Sequence, residues 1–299
     1  MSVRALVIGG GGATGLAWEV GILAGLAHAG VDLGSADAVI GTSAGALLGA
    51  QLRTGAQLEE LYRAQLTEAE PARAVASLSV LLRLSWLLLR HRDPHRYRIE
   101  VGRFAATAPT QSAAQWHAEL ASRLPTSTWP ERRLVIAAVD AGTGERVAFD
   151  GADGAAGAGD PRASLVDAVA ASTAAPGFRP SATIDGRTFI DGGVASAANV
   201  DLAAGYQRIV VVAPIDRGSG PIPSVSQQVA RLPAGSRVAV VVPDRSARRA
   251  MGWNPMNSAR RPDAARAGRD QADAVVAMVR RVWTGEEGAA SADAPTGLA

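Results

Sequence analysis

Residues 3–8 (Val-Arg-Ala-Leu-Val-Ile) form a short, nearly continuous apolar run that stops at four glycines. A run of this kind predicts a strand buried on both faces of a parallel sheet, where the alternation of inside and outside is lost. Over residues 16–29 the apolar spacing changes. Leu16, Val20, Leu23 and Leu26 fall on one helical face, and Gly30 marks the end. A second short apolar strand at 38–41 runs into Gly41-Thr42-Ser43-Ala44-Gly45 and then into a small-residue helical stretch. The first 55 residues thus read strand, glycine loop, helix, strand, sharp turn, helix. In an open parallel sheet both loops would emerge at the carboxyl ends of neighbouring strands, where sites are normally assembled.

From about 57 to 123 no strand pattern appears, and residues 78–89 are apolar at helical length. This segment predicts an all-helical insertion or cap, with 75–89 either a core helix of that cap or a lid or membrane-facing element. A basic stretch, residues 90–98, follows and is broken by Pro94; it suits either a solvated turn or an anionic lipid surface. Strand patterns resume at 133–139, with a hairpin partner near 146–149, and a helix is predicted at 165–171. Residues 182–190 read as a hairpin turning at Asp185-Gly186, a favoured type I′ pair. Two further buried-type strands at 208–213 and 237–242 are each closed by proline, and a last helix spans about 263–283. The glycine- and alanine-rich stretch 150–160 predicts a loop, and the tail 285–299 a disordered segment. Together these patterns predict one α/β domain over residues 1–284, a three-layer α/β/α arrangement around a mostly parallel sheet.

Composition sharpens this in three ways. The chain has 299 residues, 47% hydrophobic but only 4% aromatic, so the core is built from Ala, Val, Leu and Ile. All 30 basic residues are Arg and stand against 28 acids, a net charge of +2 that is too mild and too evenly spread to make nucleic acid the partner. Cysteine is absent, which excludes disulfides, thiol nucleophiles and cysteine metal sites. The N-terminal apolar run is too short for a signal peptide's hydrophobic region. The segment 75–89 carries Arg83 near its middle and falls short of the roughly 20 apolar residues a spanning helix needs. The expectation is a cytoplasmic protein, with peripheral association the one form of membrane contact left open.

The Gly41 to Gly45 pentapeptide has the form of a nucleophile elbow, in which a serine stands exposed on a tight strand-to-helix turn. The usual base for such a serine is a histidine later in the chain. None exists here: the histidines are His28, His91, His95 and His117, and no histidine follows 117. His28 sits near a helix C-terminus and His117 in a helical stretch, both structural positions. His91 and His95 have the spacing of a metal pair, but Pro94 between them disfavours a shared helical face. Carboxylates are then the candidates. Asp191 ends a strand and precedes Gly192-Gly193, which let backbone and substrate approach. An aspartate is a weak base at its reference pKa of about 3.9. It serves if it is desolvated and if the oxyanion is strongly stabilised. The unhindered N–H groups of Gly10, Gly11 and Gly12, just ahead of a helix N-terminus, suit that second task.

In order and spacing these motifs resemble the patatin-like phospholipases, lipid acyl hydrolases with a Ser-Asp dyad. The glycine-rich oxyanion loop matches Gly10-Gly11-Gly12-Ala13-Thr14-Gly15, the elbow matches Gly41 to Gly45, and the aspartate motif matches Asp191-Gly192-Gly193. The small-residue stretch from Ala171 to Phe178 with Pro176 also resembles the segment that precedes the family's aspartate. The similarity covers roughly residues 3–215. It implies Ser43 as nucleophile, Asp191 as base, the backbone of Gly10, Gly11 and Gly12 as oxyanion hole, a lipid or phospholipid substrate, and neither cofactor nor metal.

Two departures stand out. Thr14 occupies a place where many members carry Arg or Lys, which favours as alternative a catalytically weak or silent lipid-binding member. Asn199 is followed by Val200 where members commonly have proline, which puts the loop after the aspartate in question. A third reading, a dinucleotide-binding protein, rests on Gly10-x-Gly12-x-x-Gly15, but it wants an acid at the end of the second strand, where Gly41-Thr42-Ser43 stands and only Asp32 and Asp37 precede.

Overall fold

The computed structural model describes residues 3–67, 78–108, 110–150 and 162–285. The chain runs β1 (Arg4–Ile8), α1 (Gly12–His28), β2 (Ala38–Thr42), α2 (Ala44–Arg53) and α3 (Leu58–Leu66), then α4 (Leu78–Arg90), α5 (Pro94–Thr107) and α6 (Ala113–Arg123). It continues through β3 (Arg133–Asp140), β4 (Arg146–Asp150), α7 (Leu165–Ser172), β5 (Ala182–Ile184), β6 (Arg187–Asp191) and β7 (Arg208–Val212). It ends with α8 (Val225–Val229), β8 (Arg237–Val241), α9 (Arg245–Met251) and α10 (Arg261–Thr284). The expected loop at 150–160 lies outside the described residues except for Asp150, and so does the expected tail except for Gly285.

Five strands, in the order β3-β2-β1-β7-β8, are parallel, and β4, β5 and β6 join the β3 edge in antiparallel fashion. The period of two along a strand sorts the side chains. Leu6 and Ile8 of β1 pack into a large core with α1, α2, α7 and α10, while Ala5 and Val7 face a smaller core on the other side. That second face is covered by a 3-10 turn at Val200–Ala203 and by the five-residue α8. The architecture is therefore the predicted mixed α/β fold with a mostly parallel sheet, but one helical layer is thick and the other slight.

The close approach of α1 and α10 explains the small residues along both. A Cβ added to Gly21 would meet Ala265 O at 2.1 Å, and one on Gly268 would meet Trp18 O at 2.3 Å. Trp18 closes this seam by donating its indole N–H to Gln271 Oε1 at 2.9 Å.

Two boundaries differ from the sequence reading. α1 begins at Gly12 rather than Leu16, because Gly15 N–H reaches back to Gly11 O and Thr14 N–H is taken by Pro255 O, a partner from the far end of the chain. Pro94 does not break a helix but opens one: it sits in the first turn of α5, where a missing N–H costs nothing, and Asp93 caps it by accepting Arg96 N–H at 2.7 Å. His91 thus precedes the helix that contains His95. The segment 57–123 holds α3 to α6 and no strand among its described residues.

Candidate active site

Ser43 sits between β2 and α2 with φ 54° and ψ −121°, a positive-φ conformation costing a non-glycine residue on the order of 1–3 kcal/mol. Its surroundings hold it there. Ser43 N–H donates to Ser172 Oγ at 2.8 Å, and Ser172, fully buried, donates in turn to Ala137 O at 2.7 Å. The flanking glycines are steric necessities: a Cβ on Gly41 would lie 2.5 Å from Ala46 Cα, and one on Gly45 would lie 2.3 Å from Ile8 O and 2.4 Å from Gly9 O. Gly45 N–H also bonds Gly9 O at 3.1 Å, so the elbow is stitched directly to the glycine loop.

The sheet register brings the aspartate to the serine. Thr42 pairs with Ala137 in β3, and the next β3 residue, Ala138, pairs with Asp191 at the end of β6. Ser43 Oγ–H donates to Asp191 Oδ2 at 2.6 Å, and Gly193 N–H donates to Asp191 Oδ1 at 2.7 Å, so each carboxylate oxygen has one donor. Burial raises the Asp191 pKa to about 6, and the two hydrogen bonds, from Ser43 and from Gly193, pull the other way.

The glycine loop lines the same pocket as Ser43 and Asp191, with one correction to the expected donor set. Gly10 N–H is already donated to Ala197 O at 2.7 Å, and the residue's contribution is space, since a Cβ there would come within 3.0 Å of Ser43 Cβ. Gly11 and Gly12 keep N–H groups with no acceptor outside α1 among the described residues. Thr14 is buried, does not line the pocket, and its Oγ1 has no partner among the described residues.

The pocket has a volume of about 330 Å³ and a mostly apolar wall, to which α4 gives Leu84 and Leu88, α5 gives Tyr97 and Val101, and the connections give Phe178 and Ile215. Burial pushes the Tyr97 phenol up to about 12, so it stays neutral. The histidines lie elsewhere: His117 meets Asp167 at 3.0 Å, His95 meets Glu145 at 3.2 Å, and neither lines this pocket. Asp32 and Asp37 sit at the opposite end of the central strands from the glycine loop, where Asp32 caps a 3-10 turn and Asp37 accepts Arg4 N–H, out of reach of a ribose on that loop.

Asn199 is a structural contributor that residue patterns did not mark as such. It is fully buried in the left-handed conformation, φ 50° and ψ 45°. Its Nδ2 donates to Thr42 Oγ1 at 3.0 Å and to Ser196 O at 2.8 Å, tying the loop after Asp191 beneath the elbow without a following proline. Asparagine is among the non-glycine residues that best tolerate this conformation, and that was the available signal.

The model of the patatin-like phospholipase family matches residues 6–204, which span the glycine loop, the elbow and the aspartate. The chain belongs to this family. Membership makes it, at family level, a lipid acyl hydrolase. Among solved structures it is similar to VipD from Legionella pneumophila, at 13% identity and a TM-score of 0.48, over 93% of this chain and 67% of that one. It is also similar to the type III effector protein ExoU, at 16% identity and a TM-score of 0.40, over 93% of this chain and 53% of that one. No curated protein matches the chain.

Proposed function

We propose that the protein hydrolyses fatty-acyl esters of phospholipids or related lipids through an acyl-enzyme on Ser43, with Asp191 as the only base. The observation that carries this reading is the 2.6 Å hydrogen bond from Ser43 Oγ to Asp191 Oδ2 at the wall of an apolar pocket. As Oγ attacks the acyl carbon, Asp191 takes its proton, and the negative charge developing on the carbonyl oxygen meets the N–H groups of Gly11 and Gly12 at the start of the 17-residue α1. Asp191 then gives the proton to the departing alcohol, leaving acyl-Ser43. A water loses its proton to Asp191, attacks the acyl carbon, and releases the fatty acid while Ser43 recovers its hydrogen. Burial supports the role of base, because a carboxylate with a pKa of about 6 accepts a proton more readily than an exposed one yet remains ionised at neutral pH.

The helical segment 57–123 acts in this reading as a cap facing a lipid surface. Leu82, Trp86 and Leu89 of α4, at one-turn and two-turn spacing, are 61%, 48% and 83% exposed, while Leu84 and Leu88 of the same helix line the pocket. Trp253, 86% exposed, precedes the pocket residues Pro255 and Met256. Arg83 and Arg90 belong to α4, and residues 78–90 contain no acid. That combination suits peripheral contact with an anionic bilayer. No helix among the described residues is long and apolar enough to cross one.

Release of fatty acid from a panel of phospholipids, lysophospholipids and neutral glycerides tests the proposal. Wild type is expected to cleave at least one class, and Ser43→Ala and Asp191→Asn are each expected to lose at least about 10³-fold in rate. Undiminished cleavage by Ser43→Ala would refute it.

A further inference from the structure

A second, larger cavity of about 680 Å³ adjoins the apolar pocket, and Ile222 lines both. α5 borders both as well. Pro94 and Arg98 face the larger cleft, Tyr97 and Val101 the apolar pocket, so neighbouring stripes of one helix wall the two cavities, separated along the axis by about 4.5 Å for three residues. The segment after Asp191 does the same, with Val194 in the apolar pocket and Ala195 and Ser196 in the cleft.

The cleft differs from the pocket in its charge. Four arginines line it, Arg92, Arg98, Arg146 and Arg231, against two carboxylates, Glu145 and Asp201. Both carboxylates already face a cationic or titratable partner: Asp201 accepts two hydrogen bonds from Arg146 at 2.7 and 2.6 Å, and Glu145 lies 3.2 Å from His95. Arg98 is oriented by its Nε donating to Gly144 O, which leaves its two terminal nitrogens without a partner among the described residues. The guanidinium groups of Arg92 and Arg231 have none either. Arg92, Arg98 and Arg231 therefore bring to one cleft guanidinium nitrogens that no carboxylate meets among the described residues, although Glu145 lines the same cleft. Planar forks of this kind bind phosphate oxygens in pairs.

We propose that this cleft is a subsite for a phosphate monoester or diester group, carried by the same molecule whose acyl chain occupies the apolar pocket. The proposal rests on the reading of the apolar pocket as the acyl site and deepens it: an amphiphile with an anionic head would span the two cavities across Ile222, and the enzyme would prefer it to a neutral ester of equal chain length. Thr14 leaves the glycine loop without its own cation, and the charge that selects an anionic substrate would come from this cleft.

The test compares a short-chain monoacyl glycerophosphate with the monoacylglycerol of the same chain, both below their micellar concentrations so that bilayer attraction plays no part. Wild type is expected to show a kcat/KM at least about tenfold higher on the phosphate ester, a margin that shrinks as salt screens the exposed guanidinium groups. Arg92→Ser combined with Arg231→Ser, both solvent-exposed and outside the catalytic groups, is expected to remove most of that margin and to leave the neutral ester within about twofold. Equal rates on the two esters in wild type, or equal losses on both in the double variant, would overturn the proposal.

Calorimetric titration with the uncleavable alkyl-ether analogue of the phosphate ester separates this from the fate of the catalytic reading. Binding that survives Ser43→Ala and weakens at least about fivefold in the double variant supports the subsite even if no ester is cleaved, whereas binding indifferent to Arg92 and Arg231 refutes it. Inorganic phosphate in the same titration distinguishes the source of the anion. Phosphate binding as tight as that of the alkyl-ether analogue would refute the head-group assignment in favour of a free-anion site, and binding at least about tenfold weaker supports it.

Discussion

Ser43 and Leu84 line the same pocket, yet the two are held there by different means. Ser43 stands at the end of β2, and its position follows from backbone contacts: Gly45 N–H on Gly9 O, Ser43 N–H on Ser172 Oγ, and glycines packed to within 2.5 Å of where a Cβ would lie. Leu84 belongs to α4, whose outward side carries Leu82, Trp86 and Leu89 into solvent and whose inward side meets a small cluster with Tyr97, Val101 and Ile190. The catalytic half is thus close-packed, with backbone against backbone, and cannot shift by a few tenths of an ångström without breaking hydrogen bonds. The covering half is held by side chains and leaves apolar surface unspent. On the proposed reading the contrast separates two jobs, bond chemistry at the strand ends and lipid contact on the helical cover, and each should fail independently of the other.

The sharpest break comes on the sheet side. Gly45→Ala forces a methyl against Ile8 O and Gly9 O, and the strand, the loop and the elbow cannot all keep their places. A loss of stability of roughly 3 kcal/mol or more, with activity lost on every substrate, is expected from a denaturant melt paired with an esterase assay. A variant that melts like wild type would show the elbow to be looser than the backbone contacts indicate.

On the helical side the expected effect is smaller and selective. Leu82→Ser, Trp86→Ser and Leu89→Ser together expose no new core, so the melt should stay close to that of wild type. Co-sedimentation with anionic vesicles and turnover of vesicle lipid should fall by about tenfold, with hydrolysis of a soluble short-chain ester within about twofold of wild type. Equal losses on soluble and vesicle substrates would erase the division between the two halves.

The mildest and most diagnostic effect concerns Asp191. In the proposed mechanism its carboxylate form is the base, so kcat/KM should fall on the acid side with a midpoint near 6, against the 3.8 of an unperturbed aspartate. Stability runs in the opposite sense. Between those two values the folded protein keeps a proton that the unfolded chain has released, so stability falls as pH rises through the window, and above pH 6 the buried charge costs up to about 3 kcal/mol. Asp191→Asn should therefore melt above wild type at pH 8, with the difference shrinking toward pH 4. An acid limb near 4, or an asparagine variant that is less stable at pH 8, would remove burial as the source of the base's strength.

The same contrast explains what could be read from the residues alone. β1, β2, Ser43 and Asp191 were legible because buried parallel strands and close-packed turns restrict residue type strongly, and few side chains other than glycine fit at 41 and 45. The use of Gly10 N–H was not legible, since its acceptor, Ala197 O, is remote in the chain, and neither was the early start of α1, which Pro255 O helps to set. On the helical side, an apolar stretch such as α4 gives the same periodic signal whether its second face is buried or wet, so the residues alone leave 75–89 open between core helix and lipid-facing element, and the exposure of Leu89 is what the structure adds. Pro94 does separate His91 from the helix of His95, as the basic stretch suggests, but that it does so from the first turn of α5 is visible only with the cap at Asp93.

The central claim, a Ser43 nucleophile activated by Asp191 alone, is tested most directly by reaction with a fluorophosphonate followed by peptide mapping. A single adduct on Ser43 is predicted for wild type, none for Ser43→Ala, and a rate lower by at least about 10³-fold for Asp191→Asn. An adduct on another serine, or labelling of Ser43 at an undiminished rate without the Asp191 carboxylate, would contradict it.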